Sequence, residues 1–351
     1  MTGTRLALAL EEGGLSLADG PVAVLAPREG TDLSALPKDR LRIVTGFHPD
    51  HAAFRDAGYA CALGPDCALK ADGRFAAVLV CLPRAKALAR ALIAAARGMT
   101  DGPVIVDGQK EDGVDSLLKD CRRRASVEGP INKAHGKLFW FTDGDFADWA
   151  EGPAREATPG FITRPGVFSA DGVDPASALL AEVLPPLKGR VADLGAGWGW
   201  LAAQVLRQPG VTALDLVEAD HGALDCARRN ITDERARFHW DDARRWQPEV
   251  KLDAVVMNPP FHTARSQDPE LGRAFIRAAS AMLRPQGQLF MVANAHLGYE
   301  GVLDEGFASV EALGGTRSFK LFRASSARGT NPRQGGRPRP GSGPKRKGRK
   351  T

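Results

Sequence analysis

The segment Val191-Ala-Asp193-Leu-Gly195-Ala-Gly197-Trp-Gly199 constrains this chain more than any other. A short apolar run passes into alternate glycines, and a helix-like pattern follows at Trp200 to Leu206. Glycine lets backbone turn sharply and approach a ligand closely at the carboxyl end of a buried strand. A strand, a glycine turn and a helix in succession imply a parallel sheet covered by helices.

The alternation continues on both sides. Downstream, strands are expected at Arg190 to Leu194, Val211 to Val217, Arg237 to Trp240, Leu252 to Met257, Gly287 to Ala293 and Arg317 to Phe322. Helices are expected at Trp200 to Leu206, Gly222 to Asn230 and Leu271 to Leu283. Asp174-Pro175 is a helix start, Asp as cap and Pro at the first helical position, and the helix runs to about Leu184. Upstream, Leu41 to Val44, Phe75 to Leu82 and Pro103 to Val106 are strand-like, while Arg84 to Gly98 and Gly113 to Cys121 have helical spacing. That half has no glycine-rich loop.

A chain of 351 residues holds two such units. The expectation is an α/β protein with residues 1–142 as the first domain, 143–164 as a weakly patterned linker rich in Asp, Gly, Pro and Glu, and 165–325 as the second. From Arg328 onward there are nine Lys/Arg and no Asp/Glu, which leaves 38 basic against 42 acidic residues in the rest of the chain. The overall +5 is therefore a property of a basic tail, residues 326–351, whose composition reads as disordered and suited to nucleic acid. The five cysteines form no C-x-x-C pair, which argues against a zinc site or a disulfide framework and fits a cytoplasmic protein. No stretch is long and apolar enough to suggest a membrane span, and a monomer is expected.

The glycine turn bears on the ligand. Its spacing is G-x-G-x-G rather than the dinucleotide G-x-G-x-x-G, and Asp193 stands two residues before the first glycine. A carboxylate there suits the ammonium of S-adenosylmethionine and would oppose a pyrophosphate. Gly195, Ala196, Gly197 and Gly199 form the candidate cofactor loop. Glu218, with Asp215 and Asp220 as competitors, stands at the end of the next strand, where a carboxylate accepts from ribose hydroxyls. In Trp240-Asp241-Asp242-Ala243 either carboxylate can accept from an adenine amine. Asp242 is preferred, with Trp240 or Ala243 lining the ring.

Asn258-Pro259-Pro260-Phe261 directly follows the apolar strand Leu252 to Met257. Two prolines stop both helix and sheet and hold the Asn side chain and the Pro259 carbonyl at the strand's end. Those two oxygens can accept from a planar amino group, while Phe261 stacks on its ring. Such chemistry needs positioning and fixed dipoles, and no metal or covalent enzyme intermediate.

D-x-G-x-G-x-G followed by N-P-P-F resembles a class I methyltransferase acting on an amino nitrogen. More narrowly, Pro165-Gly166-Val-Phe168-Ser-Ala-Asp171-Gly-Val-Asp174 and the extended Asn258-Pro-Pro-Phe-His262 resemble the bacterial small-subunit (16S) ribosomal RNA guanine-N2 methyltransferases, over most of the chain. The resemblance implies two tandem Rossmann-like domains. The first is degenerate and helps bind RNA; Phe75 to Gly108, with Pro83-Arg84-Ala-Lys86, looks like that half. The second is a seven-stranded cofactor-binding sheet. It also implies S-adenosylmethionine as cofactor, ribosomal RNA or the ribosomal subunit as partner, and a loop from Gly166 to Asp174 closing over the site. His262 is a candidate substrate contact. Adenine or a protein glutamine stays open as the amino substrate, since the turn is shared, as does an inactive RNA-binding assembly factor. Arg122, Arg123, Arg124, Lys133, Lys137, Arg244 and Arg245 can touch phosphates, although charges of this kind are commonly solvated surface groups.

Overall fold

The computed structural model describes residues 2–260, 262–263, 266–267 and 269–328. The basic tail beyond Arg328 lies outside them.

The first half carries helices α1 (Thr2–Glu11), α2 (His48–Asp56), α3 (Pro65–Asp72), α4 (Lys86–Met99) and α5 (Val114–Cys121). Its strands are β1 (Val22–Leu25), β2 (Leu41–Val44), β3 (Ala60–Ala62), β4 (Ala77–Cys81), β5 (Val104–Gln109), β6 (Glu128–Lys133) and β7 (Gly136–Phe141). A hairpin of β8 (Arg155–Thr158) and β9 (Phe161–Thr163) leads to the second half. There the helices are α6 (Pro175–Val183), α7 (Trp200–Leu206), α8 (His221–Asn230), α9 (Pro269–Met282) and α10 (Glu300–Gly306). The strands are β10 (Gly189–Leu194), β11 (Val211–Glu218), β12 (Ala236–Trp240), β13 (Leu252–Met257), the short pair β14 (His262–Thr263) and β15 (Ser266–Gln267), then β16 (Leu283–Asn294), β17 (Phe307–Gly315) and β18 (Phe319–Ala327).

Each half builds a seven-stranded sheet, and the two follow one plan. The orders are β3-β2-β1-β4-β5-β7-β6 and β12-β11-β10-β13-β16-β18-β17. In each the first five strands are parallel, and the sixth in the order pairs antiparallel with the strands on both sides of it. These are two Rossmann-like domains. The central strands are apolar along their length, as strands covered on both faces must be: β1 and β13 are almost wholly buried. Helix α4 places Ala89, Ile93 and Ala96 in the first core at helical spacing.

Segment 143–164 is more structured than its composition suggests. Phe146 and Trp149 are buried against α4 and α5, and the β8–β9 hairpin follows. The last strand also starts later and runs longer than expected, over Phe319–Ala327, so residues 326 and 327 belong to the sheet rather than to the tail.

The halves meet through equivalent turns. The His48 backbone N–H donates to Ala219 O at 2.8 Å, and the His221 N–H donates to Gly46 O at 2.9 Å. Phe47 and Asp220 form an antiparallel bridge between these bonds. Val44 pairs with Leu25 as Val217 pairs with Leu194, so β2 and β11 contribute corresponding turns. The Trp240 indole N–H donates to both Gly46 O and Ala219 O at 2.9 Å. Trp240→Phe keeps an aromatic ring, though a smaller one, and removes that donor, while each carbonyl keeps its backbone partner. Urea unfolding should show a loss of about 0.5–1.5 kcal/mol; an unchanged midpoint would mean the indole does not fasten the junction.

Candidate active site

The site forms where β10 and β13 end. After β10, the Gly195 and Ala196 N–H groups both donate to Val217 O, at 2.9 and 3.2 Å, and the chain turns away from the sheet. Gly195 and Gly197 have φ of 78° and 55°, in the left-handed region. A Cβ on Gly197 would meet nothing within 4 Å, so the loop leaves open space over its backbone. Gly199 differs. A Cβ there would lie 2.9 Å from Ile231 Cδ1 and 3.2 Å from Ala227 Cβ, so this glycine lets α7 pack on α8 and does not line the cleft.

Asp193 is 1% exposed, and its Oδ2 has no hydrogen-bond partner among the described residues. Burial, and then the neighbouring Glu218 carboxylate, push its carboxyl up to about 8. Glu218 ends β11. Its Oε2 accepts from the Gly197 N–H and its Oε1 from the Asp220 N–H, both at 2.8 Å, and burial lifts it to about 7. A buried carboxyl oxygen without a partner beside a second carboxylate is a place for a cationic group with hydroxyls next to it. The ammonium and ribose of S-adenosylmethionine fit that donor requirement.

Asp242 is buried but already engaged. It accepts from Arg244 Nε at 2.8 Å, Arg244 Nη2 at 2.6 Å and the Arg244 N–H at 2.9 Å. Burial opposes its ionisation, yet these bonds hold the carboxyl below its ordinary range. Asp241 is the more open of the two and lies 3.7 Å from His48 Nδ1.

After β13, the Asn258 amide nitrogen donates to Asp174 Oδ2 at 2.8 Å and to Ser177 Oγ at 3.0 Å. Asp174 also caps α6, accepting from the Ser177 N–H at 2.8 Å. A planar amide whose nitrogen is committed on one side turns its carbonyl oxygen to the other. Asn258, Asp174, Ser177, Asp193, Gly195, Ala196, Gly197 and Phe168 line one cleft, with Ser169, Trp198, Trp200 and Leu201.

The Gly166–Asp174 loop divides. Phe168 is 60% exposed at the cleft, its carbonyl accepting from the Trp198 indole N–H at 3.1 Å. Asp171 points to solvent and pairs with Arg155, and Gly166 faces Leu88 of α4, so neither lines the cleft. Phe261 lies outside the described residues, and of His262 only its place in β14 is described. Ser177 is not marked as a site residue by any motif, although Asp174-x-x-Ser177 is legible as a helix cap.

Strand register explains why the first half holds no such site. Val24 stands where β10 has Asp193, and Thr45 where β11 ends in Glu218. Cys81-Leu82-Pro83 replaces Asn258-Pro259-Pro260. The turn itself survives: Ala26 keeps φ of 53° and donates to Val44 O at 2.9 Å, as Gly195 does to Val217 O.

The two carboxyls predict a pH effect. Both are raised in the folded chain, so their contribution to stability is complete below about pH 4, their ordinary range, and is lost as pH rises through about 7 and 8. Ligand-free protein should lose melting temperature over that window. Asp193→Asn should flatten the loss and melt higher than the unmodified chain at pH 8; equal slopes for both proteins would contradict the assignment.

Comparisons with known proteins give the chain its relatives. Residues 159–323 match the family described as Methyltransferase small domain. The chain is 35% identical over 248 residues to the ribosomal RNA small subunit methyltransferase C of Cronobacter sakazakii, covering 64% of this chain and 68% of that protein. It is 28% identical over 265 residues to the protein so named in Shewanella halifaxensis, covering 72% and 77% respectively. A 16S rRNA N2 methyltransferase of T. thermophilus, solved in complex with AdoMet and guanosine, shares the fold over 93% of this chain and 91% of its own, at 24% identity and a TM-score of 0.75. The chain belongs to the family of the ribosomal RNA small subunit methyltransferase C proteins.

Proposed function

We propose that this protein transfers a methyl group from S-adenosylmethionine to the exocyclic N2 amine of a guanine in 16S ribosomal RNA. The observation that carries the proposal is the Asn258 amide, held by Asp174 and Ser177 at the edge of the glycine cleft. The names of the family members and the guanosine bound to the T. thermophilus protein support the choice of RNA and of guanine.

When bound, S-adenosylmethionine supplies an electrophilic methyl group on a sulfonium. Asp193 would take the ammonium on its unpartnered oxygen, and Glu218 would accept from the ribose hydroxyls. Gly195, Ala196 and Gly197 give the backbone room. Asp242 is assigned to the adenine amine; its bonds to Arg244 leave it less oxygen to offer than Asp241 has. Asn258 Oδ1 and the Pro259 carbonyl would accept hydrogen bonds from the two N2 hydrogens. A guanine amine is a poor nucleophile because its lone pair is delocalised into the ring. Two fixed acceptors favour the geometry in which that pair faces the methyl carbon. N2 would take the methyl group that S-adenosylmethionine supplies, the bonding pair staying on sulfur, and would release to water one of the two protons that face Asn258 Oδ1 and the Pro259 carbonyl. Pro260 keeps the backbone from rejoining the sheet. Phe261 and Phe168 are assigned to the flat faces of a base flipped from its stack. His262 is assigned to the substrate side, and the basic tail to phosphates.

Asn258→Ala should slow transfer to a 16S rRNA transcript about 10²–10³-fold, the usual cost of losing one preorganised polar partner, with cofactor affinity by calorimetry within about twofold. Asp174→Ser keeps a helix cap but loses the carboxylate that orients the amide; it should lower kcat with little change in KM. Near-normal kcat in both variants would refute the mechanism.

A further inference from the structure

Trp198 is the one large side chain among residues 195–199 of the cofactor loop. Its ring is buried with Val167, Ala223 and Cys226, and Phe161 of β9 stands edge-on at 5.8 Å. Its indole N–H donates to Phe168 O at 3.1 Å. Its own carbonyl accepts from Asn230 Nδ2 at 2.8 Å. The same Asn230 amide donates to Ile162 O at 2.9 Å and accepts from the Ile162 N–H at 2.8 Å. Both the 166–174 loop and the strand that leads into it are thus fastened to Trp198.

The loop has internal bonds of its own. Thr163 Oγ1 donates to Ala170 O at 2.6 Å, and Ser169 Oγ donates to Gly172 O at 2.8 Å. Ser169 has φ of 51°, a left-handed conformation that a non-glycine residue keeps only where its surroundings over-determine it. The Phe168 backbone is therefore fixed, while its ring is 60% exposed at the cleft.

The other end of this chain of contacts is the cofactor cleft. Glu218 Oε2 accepts from the Gly197 N–H at 2.8 Å, one residue from Trp198. Without a cation, the buried Asp193 and Glu218 carboxyls repel each other beside the loop. An ammonium on Asp193 removes that repulsion and favours Glu218 as a carboxylate, the stronger acceptor for the Gly197 N–H. A ligand that stabilises one arrangement of the loop in this way shifts its population toward it.

We propose that Trp198 is a positioning residue that couples the two substrates: a cofactor that settles the glycine loop also settles Phe168 for the target guanine, so cofactor and RNA tighten each other's binding. Coupling of this kind is reciprocal. The inference rests on the guanine-N2 reading of the site.

The test uses full-length protein, in vitro transcribed 16S rRNA, and S-adenosylhomocysteine as a probe that keeps the ammonium and ribose and has no methyl group to transfer. The probe alone should slow amide hydrogen exchange across residues 166–172 several-fold in the unmodified protein. Trp198→Phe, which keeps an aromatic ring and removes the donor, should bind the probe yet lose that protection. By calorimetry, saturating transcript should tighten the probe at least about fivefold in the unmodified protein, and less than about twofold in Trp198→Phe. Asn230→Ala frees the Trp198 carbonyl from outside the cleft and should weaken the coupling in the same way. A merely structural Trp198 would lower the melting temperature and leave the coupling intact. Probe binding with no change in exchange at 166–172, or equal coupling in the unmodified protein and the folded variants, refutes the role of Trp198 while the activity stands. If the unmodified protein does not bind the transcript, the RNA reading itself falls, and the inference with it.

Discussion

The site depends on the hydrogen bond between Asn258 and Asp174, which joins the end of β13 to the first turn of α6 across 84 residues of chain. Neither partner is placed by its neighbours in sequence alone. Asn258 is delivered by a buried strand and kept there by two prolines, and Asp174 by its duty as a helix cap. α6 in turn sits on the second sheet through Ala176 and Leu180, which are buried in the same core as Val191, Val256 and Phe290. Packing therefore sets the angle of one amide, the one to which the proposed mechanism assigns the target amine.

The duplicated plan makes the same point by contrast. The first half keeps the strand order, the parallel core and even a left-handed turn at Ala26. It lacks the carboxyl groups and the Asn-Pro-Pro turn at the corresponding register positions. Fold and chemistry are separable here. The reciprocal bonds at Gly46 and Ala219 bring this half against the turn that follows Glu218.

The strongly patterned parts of this structure were legible in its sequence. Strand Leu252–Met257 and helix Trp200–Leu206 have the bounds their apolar runs suggest, and Asp174-Pro175 caps α6 as its residue types require. Edge strands were harder. β6 reads Glu-Gly-Pro-Ile-Asn-Lys, and most of β17 faces solvent, so neither carries a continuous apolar signal. Gly199 looked like a ligand-facing glycine because sequence spacing does not separate a glycine needed for a ligand from one needed where two helices touch. Ser177 reaches Asn258 only through tertiary packing.

The sharpest check on guanine-N2 methylation of 16S ribosomal RNA by this chain is nucleoside mass spectrometry of that RNA. The RNA would be compared between cells with the gene, cells without it, and cells carrying Asn258→Ala. One N2-methylguanosine should disappear without the gene, be restored by the unmodified gene, and stay absent with Asn258→Ala. An unchanged N2-methylguanosine content in all three would contradict the assignment.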